Sequence, residues 1–241
     1  MKLWRLTALL LRFGILCAQN PASQPAYLSK PPFQAGNLWM TTPVPWSPAS
    51  DPAQATVRQS RDRYFDRLIG LREPLTPANV RGSGISEGLP PPHQAEIPRL
   101  PDRAVLIGTF VSYQPVLSNS GRAIYTEVTF LVSNTFEDNS GHASPGSKFV
   151  LILPGGTVTT SRGDVLSFLT QPRAYSVSVG RTYLLALSYH SDGDFFMVGR
   201  DWDITGGVVK ANFSGSPTAP SSLIGLSLQE LVAKLNAQFE K

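Results

Sequence analysis

Fifteen of the chain's 21 prolines fall between Pro21 and Pro101, and this distribution limits the fold more than any other feature. Each proline removes a backbone donor and biases its predecessor toward extended backbone, so little regular structure can form in that interval. A core of ordinary size therefore has to come from the second half of the 241 residues. Charge divides the same way. Residues 1–103 carry 12 Lys/Arg against 7 Asp/Glu, whereas residues 104–241 carry 9 against 10.

The basic front opens with "MKLWRLTALLLRFGILCAQ", a positive start, an apolar stretch and a small residue at Ala18, the layout of a secretory signal peptide. Arg12 interrupts the stretch, and it is shorter than the roughly 20 apolar residues of a stable span. A cleaved leader over 1–18 is thus expected rather than a transmembrane helix. Cleavage removes Lys2, Arg5 and Arg12 and takes the formal charge from +4 to +1 (4 − 3 = 1). Nonspecific binding to nucleic acid needs a sustained basic footprint, which such a chain lacks. Cys17, the sole cysteine, lies in the leader, and Leu16 before it is not the small residue expected of a lipoprotein signal. The mature chain then has no disulfides, and a secreted or periplasmic location is expected.

Residues 19–54 are rich in Pro, Ser, Gln and Ala without hydrophobic period and read as an extended or disordered tail. Phe33, Trp39 and Trp46 stand out in it. Aromatic rings seek apolar cover, so they are expected to lie across a groove of the downstream domain, or else to form a partner-binding segment.

One clear helix precedes the β region, "DPAQATVRQSRDRYFDRLIG" at 51–70. Asp51 suits an N-cap, Pro52 the first helical position and Gly70 the end. Val57, Arg61, Tyr64, Phe65, Leu68 and Ile69 recur at helical spacing. Arg58, Arg61, Arg63 and Arg67 suggest a phosphate-binding comb, but Asp62 and Asp66 sit among them at pairing distance, so a solvated, internally paired face is expected. Further on, "GISEG" at 84–88 matches the G-x-S-x-G serine nucleophile pattern. No apolar strand precedes it and "LPPPH" cannot open a helix, so Ser86 lacks the setting that the chemistry requires.

From Arg103 the texture changes to short apolar runs broken by turn signals. Strands are expected at 103–117, 123–136, 148–156, 175–179, 181–190, 194–201 and 207–213. No helices of 10 to 15 residues separate them, which argues against a parallel sheet. The expected fold is mainly β, a small antiparallel barrel of the oligonucleotide- and oligosaccharide-binding (OB) or netrin-like kind, or a sandwich, of 5–7 strands. Several strands are too apolar for a sheet with one wet face, which favours closure or cover. The C-terminal "SLQELVAKLNAQFEK" offers a cover, with a capping box from Ser227 and Glu230 and an apolar stripe of Leu228, Leu231, Val232, Leu235 and Phe239. The organisation is then a leader (1–18), a tail (19–54), an amphipathic helix (55–72), a Pro/Gly-rich linker (73–102), the barrel (103–213), and a linker with the C-terminal helix (214–241).

Chemistry is sparse. His93, His142 and His190 show no metal-ligand spacing. Asp192, Asp194, Asp201 and Asp203 lack the loop spacing of a calcium motif and read as exposed turn acids. In "GRAIYTEVTFLV" (121–132), Ile124, Thr126, Val128, Phe130 and Val132 share one side, and Tyr125, Glu127, Thr129 and Leu131 the other. Glu127 reads as a solvated pleat position, and Tyr125, Glu127 and Thr129 form a candidate binding surface together with Trp39 and Trp46.

The series "YFDRLIG" (64–70), "AVLIGTFVS" (104–112), "LSNSGRAIYTEVTFLV" (117–132), "PGG" (154–156), "VGRTYLLAL" (179–187) and "GGVVK" (206–210) resembles a family of exported bacterial β proteins of the acidobacterial type. The barrel part also resembles netrin-like modules, without their usual disulfides. The resemblance implies secretion and a β module, and it brings no catalytic residue. The reading that follows is a non-enzymatic module, with no cofactor or metal, that binds a protein, peptide or glycan or acts structurally in the envelope. An alternative is a polysaccharide hydrolase using two carboxylates such as Glu127 and Asp164. A further one is a periplasmic accessory subunit that docks through its proline-rich arm, from which proteolysis would remove residues 19–100 without unfolding the rest.

Overall fold

The computed structural model describes residues 42–46, 51–76, 102–168, 177–211 and 222–239. The expected leader, Trp39, Ser86 and His93 lie outside them.

In chain order the elements are β1 (Val44–Pro45), α1 (Pro52–Ile69), β2 (Arg103–Leu117), β3 (Ile124–Asp138), β4 (Lys148–Pro154), β5 (Gly156–Thr159), β6 (Val165–Phe168), β7 (Thr182–His190), β8 (Phe195–Asp203), β9 (Lys210–Ala211) and α2 (Leu228–Phe239). The fold is mainly β. Strands β2, β3, β4, β8 and β7 form a closed ring, antiparallel throughout except where β4 meets β8 in parallel at Leu151 and Phe196. Closure demands bending, and β2 supplies it. Its pairing with β3 shifts register at Val105/Leu106, Ile107/Gly108 and Phe110/Ser112, and such irregularities let a long strand curve.

The pleat decides what fills the ring. Leu106, Phe110, Val128, Phe130, Leu151, Leu185 and Phe196 belong to one buried cluster inside it. Phe130 stacks between Phe110 and Phe149, both centroids 5.5 Å away. The intervening residues face outward, yet many are as apolar, because two further layers cover them. α2 packs Leu231 and Leu235 against Val105, Leu184 and Trp202. Its capping box forms as expected, the Ser227 N–H donating to Glu230 Oε2 at 2.8 Å and the Glu230 N–H to Ser227 Oγ at 3.2 Å. Leu228 is the exception in the stripe and is exposed. On the other flank, α1 and the small sheet β1-β5-β6 cover Tyr125 and Ile152.

Three expectations on strands are corrected, and one strand was not expected. The run 148–156 is not one strand: at Gly155 and Gly156 the backbone takes φ of 97° and 145°, redirecting the chain from the ring into the second sheet. The four-residue β6, too short to show an alternation, pairs with β5 there. The described part of 175–179 is irregular, and Val177 drops its side chain into the ring interior instead of pairing. The described part of 207–213 contributes only β9, beside an isolated bridge from Val208 to Ser227.

Candidate functional site

Glu127 lies on the outer face of β3, opposite Ile152 of β4, and α1 crosses this face. The helix starts where Asp51 accepts the Ala53 N–H at 2.9 Å and ends at Gly70, whose φ of 67° suits a glycine. Its apolar anchor is Phe65, fully buried and stacked on the Tyr125 ring at 4.9 Å. Around that anchor, a polar network ties the helix to the barrel.

Arg61 is the centre of the network and only 6% exposed. Its Nη1 donates to Glu127 Oε1 at 2.8 Å, its Nε to the Gly193 carbonyl at 2.7 Å and its Nη2 to the Asp194 carbonyl at 2.5 Å. Arg58 approaches the other Glu127 oxygen at 3.7 Å. Asp62, also buried, accepts from the Tyr125 hydroxyl at 2.8 Å and from the Asn119 N–H at 3.0 Å. Asp66 accepts from the Ser118 hydroxyl at 2.8 Å, with Arg122 at 3.8 Å.

Two expectations are therefore corrected. The charged face of α1 is not a solvated, internally paired one, because Arg61 and Asp62 turn into the barrel. Nor is Glu127 a solvated pleat position, since α1 covers it and two arginines hold it. Of the candidate residues, Tyr125 is fully buried, Glu127 is ion-paired and Thr129 is half-buried on the same strand face. Trp46 donates its backbone N–H to the Thr159 carbonyl at 3.0 Å and packs beside the cluster under α1. Asp164 is exposed in the β5–β6 turn, whereas Glu127 faces α1.

Burial raises the Asp62 pKa against the lowering effect of the Asn119 and Tyr125 hydrogen bonds, and it drives the Tyr125 hydroxyl far above its ordinary value. A carboxyl group with a raised folded-state pKa gives its full stability only below the ordinary carboxylate range and loses it as pH rises through the folded value. The melting temperature of the wild type minus that of Asp62→Asn is accordingly expected to grow as pH falls from neutral toward 4. A difference independent of pH would contradict this.

Beside α1 the surface opens into a groove of about 560 Å³. One wall is the helix, through Arg63, Tyr64 and Arg67; the other is Asp102 and the end of β7 with its turn, through Tyr189, His190 and Asp192. The His190 ring lies flat on Phe195 at 4.9 Å and edge-on to Tyr64 at 5.1 Å. Burial lowers the His190 pKa, against the raising influence of Asp192 and Asp102. The neutral imidazole then offers one donor and one acceptor. Burial and the hydrogen bond to Asp194 push the Tyr189 hydroxyl up to about 12, so it is protonated at neutral pH. The four arginines of α1 are thus divided: Arg58 and Arg61 hold Glu127, while Arg63 and Arg67 border the groove.

The turn at the groove depends on Gly193. A Cβ there would lie 2.8 Å from the Phe195 ring and 3.1 Å from Arg61 Cγ, and neither neighbour is free to move. Gly193→Ala is expected to destabilise by about 1–3 kcal/mol, seen as a fall of several degrees in a thermal melt.

Of the four acids expected as exposed turn residues, Asp192 lines the groove, Asp201 is buried on β8, and Asp194 and Asp203 are committed elsewhere. Asp203 takes Arg181 Nη1 at 2.8 Å, and Asp194 takes the Tyr189 hydroxyl at 3.0 Å. Among the described residues no group of three or more His, Cys, Asp or Glu could hold a metal ion, and no helix is long and apolar enough to cross a membrane. The groove has no contiguous motif, since its walls come from segments some 35 to 130 residues apart. Compared with known protein families, curated proteins and solved structures, the chain matches none of them.

Proposed function

We propose that the chain is an exported, non-enzymatic β-barrel module of the OB type, working in the periplasm or outside the cell, whose groove beside α1 binds a protein, peptide or glycan. The ring order supports the barrel type: its first strand pairs with the second and fourth, and its third and fifth close the ring in parallel. Barrels of that type hold ligands on the face of the second and third strands, between the loops after the first and fourth strands. Here that face belongs to β3 and β4, and the loops are 118–123 and 191–194. α1 lies across this face and is bonded to both loops, through Asp62 to Asn119 and through Arg61 to Gly193 and Asp194. This cover is the observation that carries the reading, because it leaves the neighbouring groove as the open concave surface. The carboxylates at this contact, Glu127 of β3 and Asp62 of α1, serve to anchor the helix, which speaks for binding rather than hydrolysis.

The test is retention of envelope material on the immobilised full chain, compared with a Ser60→Trp variant that fills the groove. A glycan or protein held by the wild type and lost by the variant is the expected result. Equal retention by both, or by neither, overturns the reading. Recovery of the exported chain starting after Ala18, by mass spectrometry, checks its location.

A further inference from the structure

Resting on the groove being the binding site, we propose that its ligand is a carboxylated glycan, an oligosaccharide bearing uronic-acid-type groups. The first observation is the placement of positive charge. Arg63 and Arg67 stand four residues apart on α1, where like charges repel. The acids of the helix do not relieve them, because Asp62 and Asp66 are turned to Asn119, Tyr125 and Ser118. Among the described residues neither arginine pairs with a carboxylate; Arg67 Nε donates to the Arg63 carbonyl at 3.1 Å, and both residues are exposed and line the groove. Two planar guanidinium forks on one wall fit a ligand carboxylate.

The second observation is that the opposite wall is acidic. Asp102 and Asp192 are acceptors, suited to hydroxyl donors, and both lie close enough to His190 to raise its pKa against burial. A uniformly acidic chain would meet repulsion there, whereas a sugar presents hydroxyls to that wall and a carboxylate to the arginines. Asp102 also holds a φ of 42°, uncommon for a residue other than glycine, with its carbonyl accepting the Tyr189 N–H at 3.2 Å. The backbone is thus fixed in an unusual conformation at the lip of the groove.

The third observation concerns shape. One face of the Tyr189 ring is taken by His142 at 4.3 Å and one of His190 by Phe195 at 4.9 Å, so the sugar's apolar C–H face packs on what Tyr64, Tyr189 and His190 leave toward the groove they line. A peptide strand has little edge to add to, because β7 pairs with β2 as far as Ser188 and with β8 as far as His190, and the Tyr189 N–H beyond the β2 pairing is already taken by the Asp102 carbonyl. The volume lies within the roughly 300–1,000 Å³ of small-ligand sites.

The test is calorimetric titration of the full chain with oligogalacturonate, alginate and hyaluronan fragments, their methyl-esterified counterparts and an oligoglutamate of equal charge. At least one carboxylated fragment is expected to bind, with affinity falling at least about tenfold on esterification or in Arg63→Gln/Arg67→Gln, and weakening as salt is raised. Circular dichroism of the variant confirms its fold, and Tyr189→Ala is expected to weaken esterified and free forms alike. Binding of none of the fragments, equal binding of the esters, equal binding of oligoglutamate, or an unaffected arginine variant each overturns the proposal. Loss of envelope retention in Ser60→Trp together with any of these leaves the groove as a binding site and removes only the glycan. Retention unaffected by Ser60→Trp removes the groove itself.

Discussion

Phe65→Ala is expected to detach α1 at a cost of about 3–5 kcal/mol while the barrel stays folded. Phe65 is fully buried, stacked on Tyr125 and 5.9 Å from the Phe195 ring, so truncation opens a cavity lined by aromatic groups that cannot collapse into it. The barrel interior contains no residue of α1 and keeps its own cluster around Phe110, Phe130 and Phe149. Hydrogen exchange is the suitable measurement, since it resolves local from global opening. Amides of 55–69 should lose protection while those of β2, β3 and β7 keep it. Uniform loss across the ring would show instead that helix and barrel fold as one unit.

Arg61→Ala is expected to cost about as much, 3–5 kcal/mol, by a different route. It removes a guanidinium that satisfies two backbone carbonyls and Glu127 at once, and leaves Glu127, its side chain 15% exposed, with Arg58 at 3.7 Å. The fall in melting temperature should be on the order of 10 °C. Arg61→Met combined with Glu127→Leu should recover the part of that loss due to the unpaired Glu127, because an apolar pair needs no compensation for lost hydration, while the Gly193 and Asp194 carbonyls stay without their donor. The cycle of single and double variants measures the coupling directly. Additive losses would mean that Arg61 acts through the Gly193 and Asp194 carbonyls alone.

Local features were legible in the sequence. Asp51, Pro52 and Gly70 mark the observed ends of α1, the alternation in "EVTFLV" sorts β3 into an inner and an outer face, and Ser227 with Glu230 marks the start of α2. Strands too apolar for a wet face pointed to closure or cover, and the structure has both. The environment of Glu127 was not legible, because its partner lies 66 residues earlier and the remaining partners of Arg61 lie 132 and 133 residues later. One signal did exist. Arg61 stands between Val57 and Phe65 on the apolar stripe of the helix, and an arginine in such a place is buried with partners or the stripe does not pack. Leu68 shows the converse, an apolar residue on the same stripe that is 43% exposed, past the edge of the contact with the barrel. The groove could not be read at all, since it exists only once α1 has chosen its position.

The closed ring also bears on aggregation. "AIYTEVTFLV" and "KFVLILP" are dense in residues that favour strands and low in charge, the composition of segments that stack into cross-β fibrils. In the folded chain β3 is paired on both sides, and β4 is paired with β3 along its length and joined to β8 on its other side. The join between β4 and β8 has a single registered pair, Leu151 with Phe196, against seven between β3 and β4. A fluctuation that parts it would uncover a strand edge of almost wholly apolar sequence, the kind of edge on which another chain can pair.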